Sequence, residues 1–295
     1  MAQLQTQLKN AEEIRKVLQE VKCSFKRGEN SVDVRLIYLP CTDTGCDTAA
    51  LFEIIRSTLM ANFVFSHDQI MKRLKIEGSE SEEKLFSKAI QFLSKKTAHG
   101  ELGELILFTL LDVYLGAPKI LSKVSQKSSR RMPVYGADAV HAQYVDGGLR
   151  LYLGESKLYK TFNNAATQAT KSISNALDSY NHEFSLIETH INFPEINAKI
   201  ENELLATLNP FNNDKIIAEV LYSPCFIGFS DADCFGDQDK FEELYIRVAE
   251  KHVDSFYSKL EAKGKKCDKT TLLLLPFQSI KEVVVGFINH MGIEK

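Results

Sequence analysis

Two acids and a lysine within the segment 132–157, MPVYGADAVHAQYVDGGLRLYLGESK, have the types and spacing to do chemistry. Asp138 falls on one strand-like run and Glu155 with Lys157 on a second, and the Asp146-Gly147 pair between them is a strong type I′ turn signal. With those two residues as the loop, Val145 pairs with Gly148, and counting outward sets Asp138 directly opposite Glu155. Lys157, two residues along, shares the same face. A Gly147-Gly148 loop would oppose Asp138 to Lys157 and keep all three on one face. A three-residue loop without a bulge would place Ser156 opposite Asp138 and defeat the arrangement. Two such carboxylates are hard oxygen ligands for Mg²⁺, with Mn²⁺ as a substitute, and leave positions open for water and a phosphate oxygen. A divalent ion there would activate water and offset charge on phosphate, and the lysine would orient the water or stabilise the developing charge. The chemistry on offer is metal-dependent phosphodiester hydrolysis.

A third wall comes from the helix predicted over 100–115. After Glu104 it reads LILFTLLDVYL, apolar nearly all round, which marks a helix enclosed by other elements. Glu101 and Glu104 share one face at its start, and Gly100 and Gly103 let another backbone approach there. Either acid would also suit the positive end of the helix dipole with no further role. Glu-x-Lys alone says little: it recurs at Glu20/Lys22, Glu82/Lys84 and Glu261/Lys263, all read as exposed helical faces. Simple charge pairing across an exposed hairpin is worth at most about 1 kcal/mol and needs no apolar surroundings. Just ahead of the Asp138 strand, Lys119, Lys123, Lys127, Arg130 and Arg131 form a basic stretch without an acid. It is expected to contact nucleic-acid phosphates without reading bases. The net charge of −3 speaks against non-specific wrapping of nucleic acid, but a site's field is local.

At these residues the sequence resembles the PD-(D/E)xK nuclease superfamily, whose core runs helix, three strands, helix, strand. Helix 100–115, the hairpin with YGAD and YLGESK, a helix over 163–180 and a strand over 217–229 follow that order. Within the superfamily it is most similar to the HamA-type nucleases of the Hachiman anti-phage system, which show HGELGE, then a Gly-x-Asp strand, then GESK; the similarity spans roughly 98–276. The resemblance implies that Asp138 and Glu155 ligate the metal and that Lys157 is the catalytic lysine. It implies Glu104 as the helical acid and a further ligand, with Glu101 as its substitute. Gln168 falls where related nucleases place a glutamine that helps hold the site, although Ser172 stands where a tyrosine usually follows. DNA as substrate and a companion helicase are implied as partners. A helicase-docking subunit with a vestigial site, or a nuclease acting on RNA, are the alternatives, since the phosphate chemistry is shared.

The rest of the chain must position this site. Its 44% hydrophobic and 25% charged residues are ordinary globular values, which excludes disorder as the main state. No apolar run reaches membrane-spanning length, and the polar N-terminus lacks a signal-peptide core, so a cytoplasmic location is expected. Six scattered cysteines read as reduced thiols. Residues 3–22 read as an amphipathic helix, 32–39 as a strand, and Asp47 as the cap of a helix running to about residue 65; 67–98 reads as a more polar helical stretch. Residues 1–98 are thus expected to be a mainly helical accessory and partner-docking region with one strand pair, and 99–295 the nuclease domain. Beyond 180, a helical stretch at 193–208, the 217–229 strand, a helix at 239–262, a strand at 271–276 and a helix at 279–291 complete an α/β fold with an α+β mixed sheet. The acids from Asp231 to Glu242 approximate EF-hand spacing, but Phe235 occupies a ligand position and CFIGF before them reads as a strand, so helix capping is the better account. By strand parity His141 faces away from Asp138, and no P-loop or dinucleotide fingerprint is present.

Overall fold

The computed structural model describes residues 4, 6–8, 10–42, 45–59, 75–76, 80–122, 137–145, 147–180, 202–203, 205–207, 209 and 214–293. In chain order, helix α1 (Ala11–Val17) leads into strands β1 (Gln19–Val21), β2 (Phe25–Arg27), β3 (Asn30–Val32), β4 (Val34–Tyr38), β5 (Cys41–Thr42) and β6 (Gly45–Cys46). Helices α2 (Thr48–Leu59), α3 (Glu80–Ile90) and α4 (Ala98–Tyr114) follow. Then come β7 (Lys119–Ser122), β8 (Ala139–Val145), β9 (Gly148–Tyr159) and helix α5 (Phe162–Asp178). The remaining elements are α6 (Asp214–Val220), β10 (Leu221–Tyr222), β11 (Cys225–Ser230), α7 (Phe241–Glu261), β12 (Leu272–Phe277) and α8 (Ile280–Met291).

One mixed sheet organises these elements, in the order β1-β4-β12-β11-β9-β8-β7, with β10 also on β9. Strands β4, β12, β11 and β9 are parallel neighbours, whereas β1, β8 and β7 are antiparallel to the strands beside them. The parallel strands are apolar runs, LLLLPF and CFIGFS, because helices cover both faces and leave neither side for polar residues. On one face, α1, α2, α4 and α8 pack over Ala139, Leu158, Phe226, Leu273 and Leu275. On the other, α5 and α7 cover Cys225, Ile227, Phe229, Leu272 and Leu274. The small residues Ala165, Ala166 and Ala169 of α5 are fully buried in that layer, which brings the helix close to the sheet. Close strand contact also requires Gly228: a Cβ there would lie 2.4 Å from Leu158 Cδ1.

Several expectations are corrected. The helix read over 3–22 ends at Val17, and Gln19–Val21 instead pairs with β4, held by Arg35 on Glu20 (3.0 Å) and the Tyr38 hydroxyl on Gln19 (2.7 Å). Among the described residues, 19–46 hold six short strands rather than one pair, and β1 and β4 belong to the central sheet. The strand read over 217–229 begins only at Leu221; DKIIAEV before it is α6, which buries Ile217 against the outer end of the sheet with Leu149 and Leu151. Cys41 and Cys46 are not reduced thiols: they face each other across β5–β6 and form a disulfide. Helix α2 is capped by Asp47, whose carboxylate accepts the Ala50 N–H (2.9 Å). Its expected continuation to residue 65 and most of 193–208 lie outside the described residues. Among the described residues no helix is long and apolar enough to cross a membrane.

Candidate metal and catalytic site

Strand β9 changes partners in its middle. Up to Gly154 it pairs with β8, and on its other edge it passes from β10 at Leu151 and Tyr152 to β11, where Cys225 stands beside Glu155. Glu155 therefore sits where β8 has ended and where β11 begins, its N–H donating to Pro224 O (3.0 Å). The hairpin takes the two-residue-loop register, with Val145 opposite Gly148 and Ala139 opposite Gly154, which brings Asp138 to the level of Glu155. Asp138 lies one residue outside the regular ladder, its N–H donating to Gly154 O (3.0 Å). Asp138 is 7% exposed and Glu155 6%. Two acids this buried, in one place, are unusual without a partner to hold them.

The partners are specific. One Asp138 oxygen, Oδ2, accepts both the Ser156 N–H and the Ser156 hydroxyl, each at 2.9 Å. The Lys157 ammonium donates to Glu155 Oε1 and to Ser156 O (3.2 Å). Burial lowers the Lys157 pKa, but Glu155 and Asp138 beside it outweigh that and hold the ammonium above the ordinary lysine value. Cys225 shares the neighbourhood: burial, then the charges of Glu155 and Asp138 against that of Lys157, push its thiol well up. The site is thus two carboxylates and one cation beside a neutral thiol.

Helix α4 approaches from the opposite face. Gly103 lies against Ser156, and a Cβ on it would be 3.3 Å from Ser156 Oγ. Glu104, the next residue, is half-buried. Glu101 is 2% exposed and accepts the Ser94 N–H (3.2 Å) and the Thr97 hydroxyl (2.6 Å), so it serves the turn that starts the helix. Gln168 is exposed on α5, and its side chain makes no hydrogen bond among the described residues. Lys119 does not belong to an exposed basic loop. It is 7% exposed on β7, with its ammonium 5.7 Å from the Phe108 ring centroid, and burial pushes its pKa down to about 7 against the pull of Asp112. Lys123, Lys127, Arg130 and Arg131 lie outside the described residues.

Other candidates resolve into structural roles. His141 is fully buried on the α4 side of β8, its Nδ1 bonded to Ala117 O (2.6 Å), so it faces away from Asp138. Asp231 and Asp237 cap two short 3₁₀ turns by accepting the N–H groups of Asp233 and Asp239, and the strand β11 precedes them. A cleft of about 580 Å³, lined by Tyr38, Phe235, Phe241 and Glu242 among others, opens at the C-terminal ends of β4, β11 and β12 and holds none of the candidate site residues. Glu20 of Glu20-x-Lys22 also lies on a strand, with Lys22 just past its end, contrary to the helical reading, but the carboxylate is engaged by Lys22 and Arg35 together, an ion-pair role. Ser156 was missed by parity reasoning, because its side chain leaves the face that carries Glu155 and Lys157. The only sequence signal for it is its place inside the Glu-x-Lys unit.

The donor set suits a divalent ion of the Mg²⁺ type. Among the described residues no group of three or more His, Cys, Asp or Glu side chains is placed to hold a metal ion, so Glu104 is not brought to Asp138 and Glu155 as a third ligand. Mg²⁺ does not need one: it is held by one or two carboxylates and keeps several waters or phosphate oxygens. Asp138 and Glu155 fit that pattern. A model of the HamA family matches residues 14–291. No curated protein matches the sequence.

Proposed function

This chain belongs to the HamA family, the Hachiman anti-phage defence component, and from that premise we propose that it is a Mg²⁺-dependent deoxyribonuclease acting with a companion helicase. The observation that carries the reading is the convergence of buried Asp138 and Glu155 with half-buried Lys157 at the point where β8 ends and β9 changes partner. The order α4, antiparallel β7-β8-β9, α5, β11 is that of a PD-(D/E)xK core, which supports the fold assignment.

Asp138 and Glu155 would hold the ion; Glu104 at the start of α4 is the further acid implied by the resemblance alone, since no third such side chain joins the pair among the described residues. The ion supplies Lewis acidity toward water and a phosphoryl oxygen. Lys157, kept protonated by its two acidic neighbours, places a positive charge where the phosphate gains negative charge and can orient the attacking water by donating to it. The apolar layer around Cys225, Ile227 and Phe229 keeps bulk water from screening that charge. Lys123, Lys127, Arg130 and Arg131 are the proposed phosphate contacts, and Lys119 is withdrawn from that set because it is buried. Residues 1–98, which place β1 at the sheet edge away from β7, are the proposed docking side for the helicase.

The test is cleavage of duplex DNA, single-stranded DNA and RNA in Mg²⁺, with and without the helicase and ATP. Wild-type chain should cut DNA, and Glu155→Gln or Lys157→Met should lose activity by about 100-fold or more, the scale for deleting one group that stabilises a transition state. Folded variants that cut as well as wild type would remove the site assignment. A wild-type chain that binds the helicase yet cuts nothing under any condition would favour a docking subunit.

A further inference from the structure

We infer that Ser156, seated by Gly103, is the positioning residue that sets the Asp138 carboxylate for the divalent ion. The inference rests on the site proposed above and adds a residue to it. Asp138 stands just outside the regular β8 ladder, so regular strand pairing does not fix its side chain. Ser156 does so instead. Its N–H and hydroxyl both donate to Oδ2 at 2.9 Å, two restraints from one residue onto one oxygen. The hydroxyl has a single proton, and this bond uses it.

The serine's own rotamer is set from behind. Its side chain emerges on the α4 face of β9, where Gly103 offers no Cβ; one built there would lie 3.3 Å from Ser156 Oγ, 3.6 Å from its Cβ and 3.7 Å from Leu158 Cβ. At that spacing an alanine methyl would be tighter than ordinary contact, and the hydroxyl would have to give by a few tenths of an ångström. The chain of contact therefore runs from the start of α4 through Ser156 to Asp138, and from there to the ion. Groups of this kind, which orient a ligand without touching the metal, usually control affinity about as strongly as a weak ligand does. Ser156 is also the middle residue of Glu155-Ser156-Lys157: alternation sends its neighbours into the site from one face while it reaches Asp138 from the other.

The test is Mn²⁺ binding to the full chain by isothermal titration calorimetry, for wild type, Asp138→Ala, Ser156→Ala, Gly103→Ala and the double variant, each checked for folding by circular dichroism. Ser156→Ala should weaken binding about 10-fold. Gly103→Ala should weaken it in the same direction even though alanine is the better helix former. The double variant should be no weaker than the stronger single, because both changes act through one hydroxyl. Wild-type affinity in Ser156→Ala, with binding lost in Asp138→Ala, overturns this inference and leaves the site reading intact. Wild-type affinity in Asp138→Ala removes the site and the inference together. If Ser156→Ala does not fold, Gly103→Ala decides, and wild-type affinity there overturns the inference.

Discussion

His141 makes stability depend on pH in a way that can be worked through. Its ring is fully buried between β8 and α4, 5.3 Å from the Phe108 ring centroid, and Nδ1 donates to Ala117 O. Nε2 is buried and has no hydrogen-bond partner among the described residues, so a proton there would put a charge where nothing accepts it. Burial is the main cause that lowers the pKa from 6.5 to about 3, with the Lys119 charge adding to it against the bond to Ala117. The folded pKa is depressed, so between 6.5 and about 3 the unfolded chain takes up a proton that the folded chain refuses. The contribution is therefore complete above pH 6.5 and is lost progressively as pH falls. At pH 5, 1.5 units below the free value, the loss is about 2 kcal/mol at about 1.4 kcal/mol per unit. The assay is urea unfolding at pH 7 and pH 5 for wild type and His141→Asn, whose amide can still donate to Ala117 O. The variant should be weaker at both pH values, but its drop between them should be about 2 kcal/mol smaller than that of wild type. Lys119 and the Asp112 beside it are present in both proteins and largely cancel. Equal drops would refute a neutral, buried His141.

Three other outcomes follow from the packing. Gly228→Ala should cost about 1–3 kcal/mol in urea unfolding, since its methyl would meet Leu158 at 2.4 Å and the Phe277 ring at 3.1 Å inside the parallel sheet. Glu101→Ala should cost about 0.5–1.5 kcal/mol by removing the acceptor of the Ser94 N–H, since the exposed Thr97 hydroxyl keeps Ser94 as a partner, yet the folded protein should still cut DNA; lost cleavage at full folding would make Glu101 the helical acid. Lys119→Met should leave DNA affinity and its salt dependence unchanged in filter binding, whereas Arg130→Ala with Arg131→Ala should weaken binding and lower the salt slope; a fall in affinity for Lys119→Met would show that the buried ammonium reaches phosphate.

What the sequence disclosed and what it hid follow from how local each signal is. The Asp146-Gly147 turn determines a register by itself, so the level of Asp138 against Glu155 is countable from the sequence. Helices α4, α5, α7 and α8 and strand β12 carry long periodic or continuous apolar patterns, and their bounds fall within a few residues of those expected. Strand β1 is three residues long and exists only because β4, brought back by a hairpin, pairs with it; its own pattern continues the preceding helix. Helix α6 failed for the opposite reason, as β-branched residues next to a real strand extended the strand reading across it. Composition alone groups Lys119 with the basic residues after it. Pairing of β7 with β8 turns it inward instead, toward Phe108 and Asp112, which no count of charges can show. Ser156 depends on a side-chain contact to a residue 18 positions away, and only three dimensions reveal it.

The central claim is that Asp138 and Glu155 hold a divalent ion, and anomalous diffraction from a Mn²⁺-soaked crystal tests it most directly. A Mn²⁺ peak in bonding contact with both carboxylates, absent from an Asp138→Ala crystal, is the predicted result. A peak only at the acids between Asp231 and Glu242, or none at the Asp138–Glu155 site at saturating Mn²⁺, would contradict it.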